Sequence, residues 1–183
     1  LAVKDAGFQV AYMAPTEILS HQHFAAFSTH LQQFHTTVGL LTSSESKKFP
    51  SKINPSDSTP VSAAQLLKWT RDGTIDILIG THALIQKTVK FKHLAYVVIA
   101  EQHRFGTMQR FKLLNKKNLS AVPPARAGGA HAGQAGGIVP HLLSMTATPI
   151  PRTLALTIHG DLDLTLLSDM PPGRKEIKTY LVF

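Results

Sequence analysis

Apolar positions along this chain come in two rhythms. Short, mostly unbroken apolar runs occur at Phe8–Ala14, Thr37–Thr42, Ile75–Ile79, Leu94–Ile99 and His141–Thr146, bounded by small or turn-forming residues. Runs of this kind predict buried strands. The second rhythm is helical. Phe24, Phe27, Leu31 and Phe34 recur at spacings of three, four and three, which predicts one core-facing helix stripe and reads as packing. That helix starts at Pro15-Thr16, with Thr16 as N-cap. Val61–Arg71 is patterned as an amphipathic helix ended by Asp72-Gly73. Gly106–Lys117 reads as a basic helix, Ile150–His159 as a further helix and Leu164–Leu167 as a short strand. Ser43–Pro60 is rich in Ser, Lys and Pro and reads as a loop, as does the Ala/Gly/Pro-rich stretch Asn118–Pro140. Pro171-Pro172-Gly173-Arg174 reads as a linker, and Lys175–Phe183 opens another strand.

Strands alternating with helices predict an α/β fold with a mostly parallel sheet flanked by helices. Ligands of such sheets sit beyond the carboxyl ends of the strands. The segments expected there are Ala14-Pro15-Thr16-Glu17, Gly80-Thr81-His82, Ala100-Glu101-Gln102-His103 and Thr146-Ala147-Thr148-Pro149. They are small, hydroxylic or titratable, and they are expected to meet on one edge.

Composition narrows the picture. With 183 residues, 43% of them hydrophobic, the chain can bury a core, which excludes wholesale disorder. The longest strongly apolar run, about Leu94 to Ala100, is too short to cross a bilayer as a helix. There is no cysteine, which excludes disulfides, thiol nucleophiles and Cys-ligated metals and is compatible with a reducing compartment. His21-x-His23 finds no third ligand at useful spacing and is not read as a metal site. The net charge of +8 suits a polyanionic partner. It is concentrated in one stretch: Lys87, Lys90, Lys92, Arg104, Arg110, Lys112, Lys116 and Lys117 lie between Thr81 and Ser120 beside one acid, Glu101. That stripe is a candidate phosphate-facing surface, with a solvated face as the plainer alternative.

The same segments carry a family resemblance. Ala14-Pro15-Thr16-Glu17-Ile18-Leu19, Gly80-Thr81-His82-Ala83-Leu84, Ala100-Glu101-Gln102-His103-Arg104-Phe105-Gly106 and Met145-Thr146-Ala147-Thr148-Pro149-Ile150-Pro151-Arg152-Thr153 resemble, in order, motifs Ia, Ib, II and III of superfamily 2 helicases, and among these the RecG-type branch-migrating DNA helicases. Gln102 favours that type over the related transcription-repair coupling factors, which usually carry Glu there. The resemblance implies a RecA-like first motor domain over 1–170, incomplete at its N-terminus, followed by a linker and the first strand of a second motor domain over 171–183. It implies ATP and Mg²⁺ as cofactors of a parent protein, branched DNA (forks and Holliday junctions) as partner, and a monomeric, cytoplasmic enzyme of recombination and repair. It also implies roles: Glu101 as the catalytic carboxylate; Gln102, His103, Thr146, Ala147 and Thr148 as residues that sense the nucleotide and couple it to the track; Pro15, Thr16, Gly80, Thr81, His82 and Arg152 as DNA-backbone contacts. A carboxylate at Glu101 suits the alignment of an attacking water.

Two departures stand beside the resemblance. Ala100 occupies the position of the family's Mg²⁺-anchoring Asp and offers no oxygen. No G-x-x-x-x-G-K-[ST] phosphate loop occurs in the sequence. Leu1 is not Met, and Leu1–Gly7 reads as the tail of a helix closed by glycine, so the expectation is a piece of a longer chain. Alone, that piece is expected to bind no cofactor, to be inactive, and to expose unpaired strand edges where a central phosphate-loop strand is missing. A degenerate, non-catalytic motor domain that binds nucleic acid is the alternative.

Overall fold

The chain opens with one turn of helix, α1 (Ala2–Asp5), which ends as Gly7 takes a φ of 81°. Strand β1 (Gln9–Met13) follows, then helix α2 (Glu17–Leu31), capped by Thr16, whose Oγ1 accepts from the Leu19 amide at 3.3 Å. Next come strands β2 (Val38–Leu41), β3 (Ser46–Phe49) and β4 (Thr59–Pro60). Helix α3 (Ala63–Asp72) starts at the Ser62 cap and stops at Gly73, φ 82°. Strands β5 (Ile77–Gly80), β6 (Leu94–Ile99) and β7 (His141–Ser144) complete the sheet. The structure, a computed structural model, describes residues 1–101, 113, 140–147, 163, 165–167 and 169.

The strands lie in the order β4-β3-β2-β5-β1-β6-β7. From β2 to β7 every pairing is parallel, while β3 and β4 add an antiparallel edge. Alternate side chains feed two apolar layers. Ala11, Met13, Leu78, Val97 and Ile99 pack with Leu66 of α3 on one face. Tyr12, Ile77, Ile79, Val98 and Leu40 pack with Phe24 of α2 on the other. Burial on both faces is why these strands appear in sequence as continuous apolar runs.

Three expectations are corrected. Ser43–Pro60 is not a plain loop: it contains β3 and β4, held by the register Lys47↔Pro60 and Lys48↔Thr59. Lys48 holds its ammonium over the indole of Trp69, with Nζ 5.8 Å from the ring centre. Phe34 does not belong to the core stripe, because α2 ends at Leu31 and Phe34 lies in a 3₁₀ turn, 40% exposed. Thr165, Leu166 and Leu167 form no strand; Leu167 is 95% exposed, so no burial favours pairing there.

The sheet also runs unbroken from β4 to β7, so its interior strands have neighbours on both sides. Among the described residues the free edge beyond β6 belongs to β7, with Leu143 41% exposed on it and Met145, just after it, 38% exposed. By contact the chain divides into two units, Leu1–Thr148 and Pro149–Phe183. Of the expected Gly106–Lys117 helix, Leu113 is helical and fully buried; its other residues, most of 118–140, the 150–159 helix, the 171–174 linker and the 175–183 strand lie outside the described residues.

Candidate functional site at the carboxyl edge of the sheet

Parallel pairing carries the carboxyl ends of β1, β5, β6 and β7 to one edge. The ladder continues one residue past each strand. The Ala14 amide donates to Gly80 O at 2.9 Å, the Ala100 amide to Met13 O at 2.9 Å and the Met145 amide to Ile99 O at 2.9 Å. The expected segments therefore meet through their backbones, and the side chains that follow them share one edge.

Thr16 spends its hydroxyl on the cap of α2, and its carbonyl accepts from the Ser20 amide and hydroxyl, each at 3.0 Å. What Pro15 and Thr16 offer a ligand is thus the N-terminus of a 15-residue helix, a place where anions are favoured. Gly80 is needed for close approach: a Cβ there would lie 2.2 Å from the Leu41 carbonyl oxygen of β2. Thr81, just past β5 on this edge, is buried and its hydroxyl has no hydrogen-bond partner, an unusual cost for a buried polar group. His82, next along, is exposed.

Glu101 follows β6 with φ 53°, a left-handed conformation that costs a non-glycine residue free energy. Its Oε2 accepts from the Ala147 amide at 3.4 Å, tying the segment after β6 to the one after β7. The structure thus brings Pro15, Thr16, Gly80, Thr81, His82, Glu101, Thr146 and Ala147 to one edge. Gln102, His103, Thr148 and Arg152 lie outside the described residues.

Of the basic stripe, Lys87, Lys90 and Lys92 are described; Arg104, Arg110, Lys112, Lys116 and Lys117 lie outside the described residues. β5 and β6 both run parallel to β1, so the chain between them crosses from the carboxyl edge to the amino edge. Lys92 stands at the amino edge beside Gln9 and Asp76, opposite His82. Lys87 and Lys90 are exposed along the crossing.

The residues present do not fit a Mg²⁺ anchor at position 100. Ala100 is 6% exposed and belongs to the apolar layer of Tyr12, Ile79 and Val98. Among the described residues no group of three His, Asp or Glu side chains is placed to hold a metal. His21 instead meets Glu45 Oε2 at 3.2 Å, and His23 packs on Tyr12 with ring centres 4.8 Å apart, where burial pushes its imidazole pKa down.

Sequence reasoning placed Glu17 at this edge without giving it a role and missed Ser43 and Ser44, with which it interlocks. The acid in the first helical turn was visible; its partners were distant in sequence and sat in a stretch read as loop.

Comparison with known proteins agrees with this geometry. Residues 1–157 match the DEAD/DEAH box helicase family. The ATP-dependent DNA helicase RecG of Aquifex aeolicus is 46% identical over 183 residues, covering 100% of this chain and 19% of that protein. The Synechocystis RecG is 42% identical over 182 residues, with 100% and 18% covered. A solved structure of RecG bound to a three-way DNA junction superposes with a TM-score of 0.59 at 36% identity, covering 93% of this chain and 18% of that one. The chain spans about a fifth of the length of the curated relatives it matches. Its sheet order, edge geometry and motif strings have the same explanation: the chain belongs to the DEAD/DEAH box helicase family.

Proposed function

We propose that the chain is part of an ATP-dependent DNA helicase that remodels branched DNA, by fork regression and Holliday junction migration, in recombination and repair. Residues 1–170 supply most of a first RecA-like motor domain and 171–183 the linker and first strand of the second. The observation that carries this reading is the meeting of the segments after β1, β5, β6 and β7 on one edge, with Glu101 bonded to Ala147 across it.

On that edge the α2 N-terminus, Gly80, Thr81 and His82, with Arg152, form the track for a DNA backbone. Contacts of this kind position a strand without reading its sequence. Glu101 is the carboxylate that aligns an attacking water in the parent enzyme. Gln102, His103, Thr146, Ala147 and Thr148 relay the nucleotide's state to the track; the Glu101–Ala147 bond supports this, because it already joins the two segments. Ala100 supplies no ligand to Mg²⁺, so no step through the metal is assigned to this chain. We place the parent in the cytoplasm and acting as a monomer; among the described residues no helix is long and apolar enough to cross a membrane.

The test is equilibrium binding of the full chain to labelled forked DNA across a salt series. Binding tighter to the fork than to linear duplex, with a log–log salt slope on the order of −0.9 per phosphate contact, is expected. Equal affinity for fork and duplex overturns the branched-DNA reading. A second reading, a nucleic-acid-binding motor domain without turnover, is favoured by the apolar burial of Ala100. In the parent protein, ATP turnover that Glu101→Gln abolishes supports the enzyme; turnover absent until Ala100→Asp is introduced supports the binder.

A further inference from the structure

A cleft of about 280 Å³ opens at the amino edge of the sheet, among the residues that lead into β1, β5 and β6. Its walls are fixed in advance. Gln9 binds the carbonyls of Thr70 and Ile75 and the amides of Lys92 and His93, so the three strand starts are tied together.

Two polar side chains that line the cleft are short of partners. Asp76 is half-buried, and its Oδ2 accepts from the Thr37 amide at 2.7 Å. No Lys, Arg or His among the described residues forms an ion pair with it. A desolvated carboxylate is ordinarily paired with a cation, and here burial pushes the pKa up. Lys4, whose charge reaches Asp76, is engaged by Asp5 at 3.5 Å and by Phe34 O at 3.1 Å. The second group is His93, whose Nδ1 is buried without a hydrogen-bond partner. Burial, and then the Lys92 charge, push its pKa down, so the ring is neutral and one nitrogen accepts. Rotation about χ2 of a histidine is soft, so a modest turn of the ring presents Nδ1 to the cleft.

These groups define the missing partner. Asp76 repels an anion, and α3 ends at Gly73 on the same wall, where a helix favours positive charge. A guanidinium is planar and always charged. Its fork of donors serves Asp76 Oδ1 and His93 Nδ1 together, and its face stacks on an aromatic ring such as that of Phe8, which also lines the cleft. Lys92 does not neutralise the site. It is exposed, its stem lies so close to Gly73 that a Cβ there would be 2.9 Å from Lys92 Cδ, and the charges that shift Asp76 are those of Lys4 and Asp5.

We propose that this cleft binds a guanidinium group, held by Asp76 and His93 against Phe8 and supplied either by free arginine or by an arginine side chain of a polypeptide. The site uses neither the DNA track nor Glu101, so it stands or falls independently of the function proposed above.

Amide chemical shifts of the full chain test it. L-Arginine, or N-acetyl-arginine amide as the stand-in for a residue in a polypeptide, is expected to shift the Thr37 and His93 amides saturably at millimolar concentration. L-Citrulline has the same shape without the charge and is expected to bind at least about tenfold more weakly, a comparison that needs no variant. Asp76→Asn keeps an acceptor for the Thr37 amide and is expected to bind the better probe about tenfold more weakly. Tighter binding of L-arginine marks the free amino acid as the source; equal or tighter binding of the acetyl amide marks a polypeptide. No saturable shift with either probe, citrulline binding as well as arginine, or Asp76→Asn binding like the parent overturns the site.

Discussion

The two edges of the sheet treat their polar groups in opposite ways. At the amino edge Gln9 is 3% exposed and fully engaged: Nε2 donates to Thr70 O at 2.9 Å and Ile75 O at 2.7 Å, and Oε1 accepts from the Lys92 and His93 amides at 2.8 and 3.1 Å. Asp76 there accepts from the Thr37 amide at 2.7 Å. His93 Nδ1 is the exception, buried without a partner beside a cleft of about 280 Å³. At the carboxyl edge Thr81 keeps an unpartnered hydroxyl and Glu101 a left-handed backbone. One edge spends its hydrogen bonds on stability; the other holds strain and an open valence where a ligand is expected to come.

The contrast is breakable. The largest effect is expected at the amino edge. Gln9→Leu removes four hydrogen bonds to three segments and is expected to cost about 4 kcal/mol in a denaturant titration. The fork preference of whatever remains folded should be unchanged. A cost below about 1 kcal/mol would deny that the amino edge is the structural one.

Gly80→Ala comes next. Its Cβ meets a backbone oxygen, which has little room to yield, so a loss of about 3 kcal/mol is expected together with weaker DNA binding. Thr81→Val is smaller and sharper. Replacing an unpaired buried hydroxyl with a methyl of the same shape is expected to raise stability by about 1 kcal/mol while DNA affinity falls. Stability and affinity moving together would erase the distinction between the edges.

The smallest effect is in pH. Hydrogen bonds from Ser43 and Ser44 hold the Glu17 pKa below its usual value, so its contribution is present above the unfolded pKa and lost as pH falls through the folded one. Burial holds the Asp76 pKa above its usual value, so its contribution is present below the unfolded pKa and lost as pH rises through the folded one. Stability measured across the acid range should show both limbs. Glu17→Gln should remove the first and Asp76→Asn the second, with opposite changes of slope.

Much of this was legible in the sequence because the signals were local. Five apolar runs gave the strands β1, β2, β5, β6 and β7, and Thr16 and Gly73 marked helix ends by their own chemistry. The β3–β4 pair was not legible, since Ser46, Lys47 and Lys48 lie on an edge where only Phe49 is buried and no apolar alternation is required. The Glu101–Ala147 and Glu17–Ser43 hydrogen bonds join residues 46 and 26 positions apart, which no short window along the chain contains.

Trp69 is the only tryptophan in the chain, and it sits half-buried on α3 with the Lys48 ammonium over its ring. The antiparallel edge therefore carries its own optical reporter. Emission from this indole follows the polarity and charge around it, so a shift in its spectrum would time the detachment of β3 from α3, without a dye and without interference from a second fluorophore of its kind.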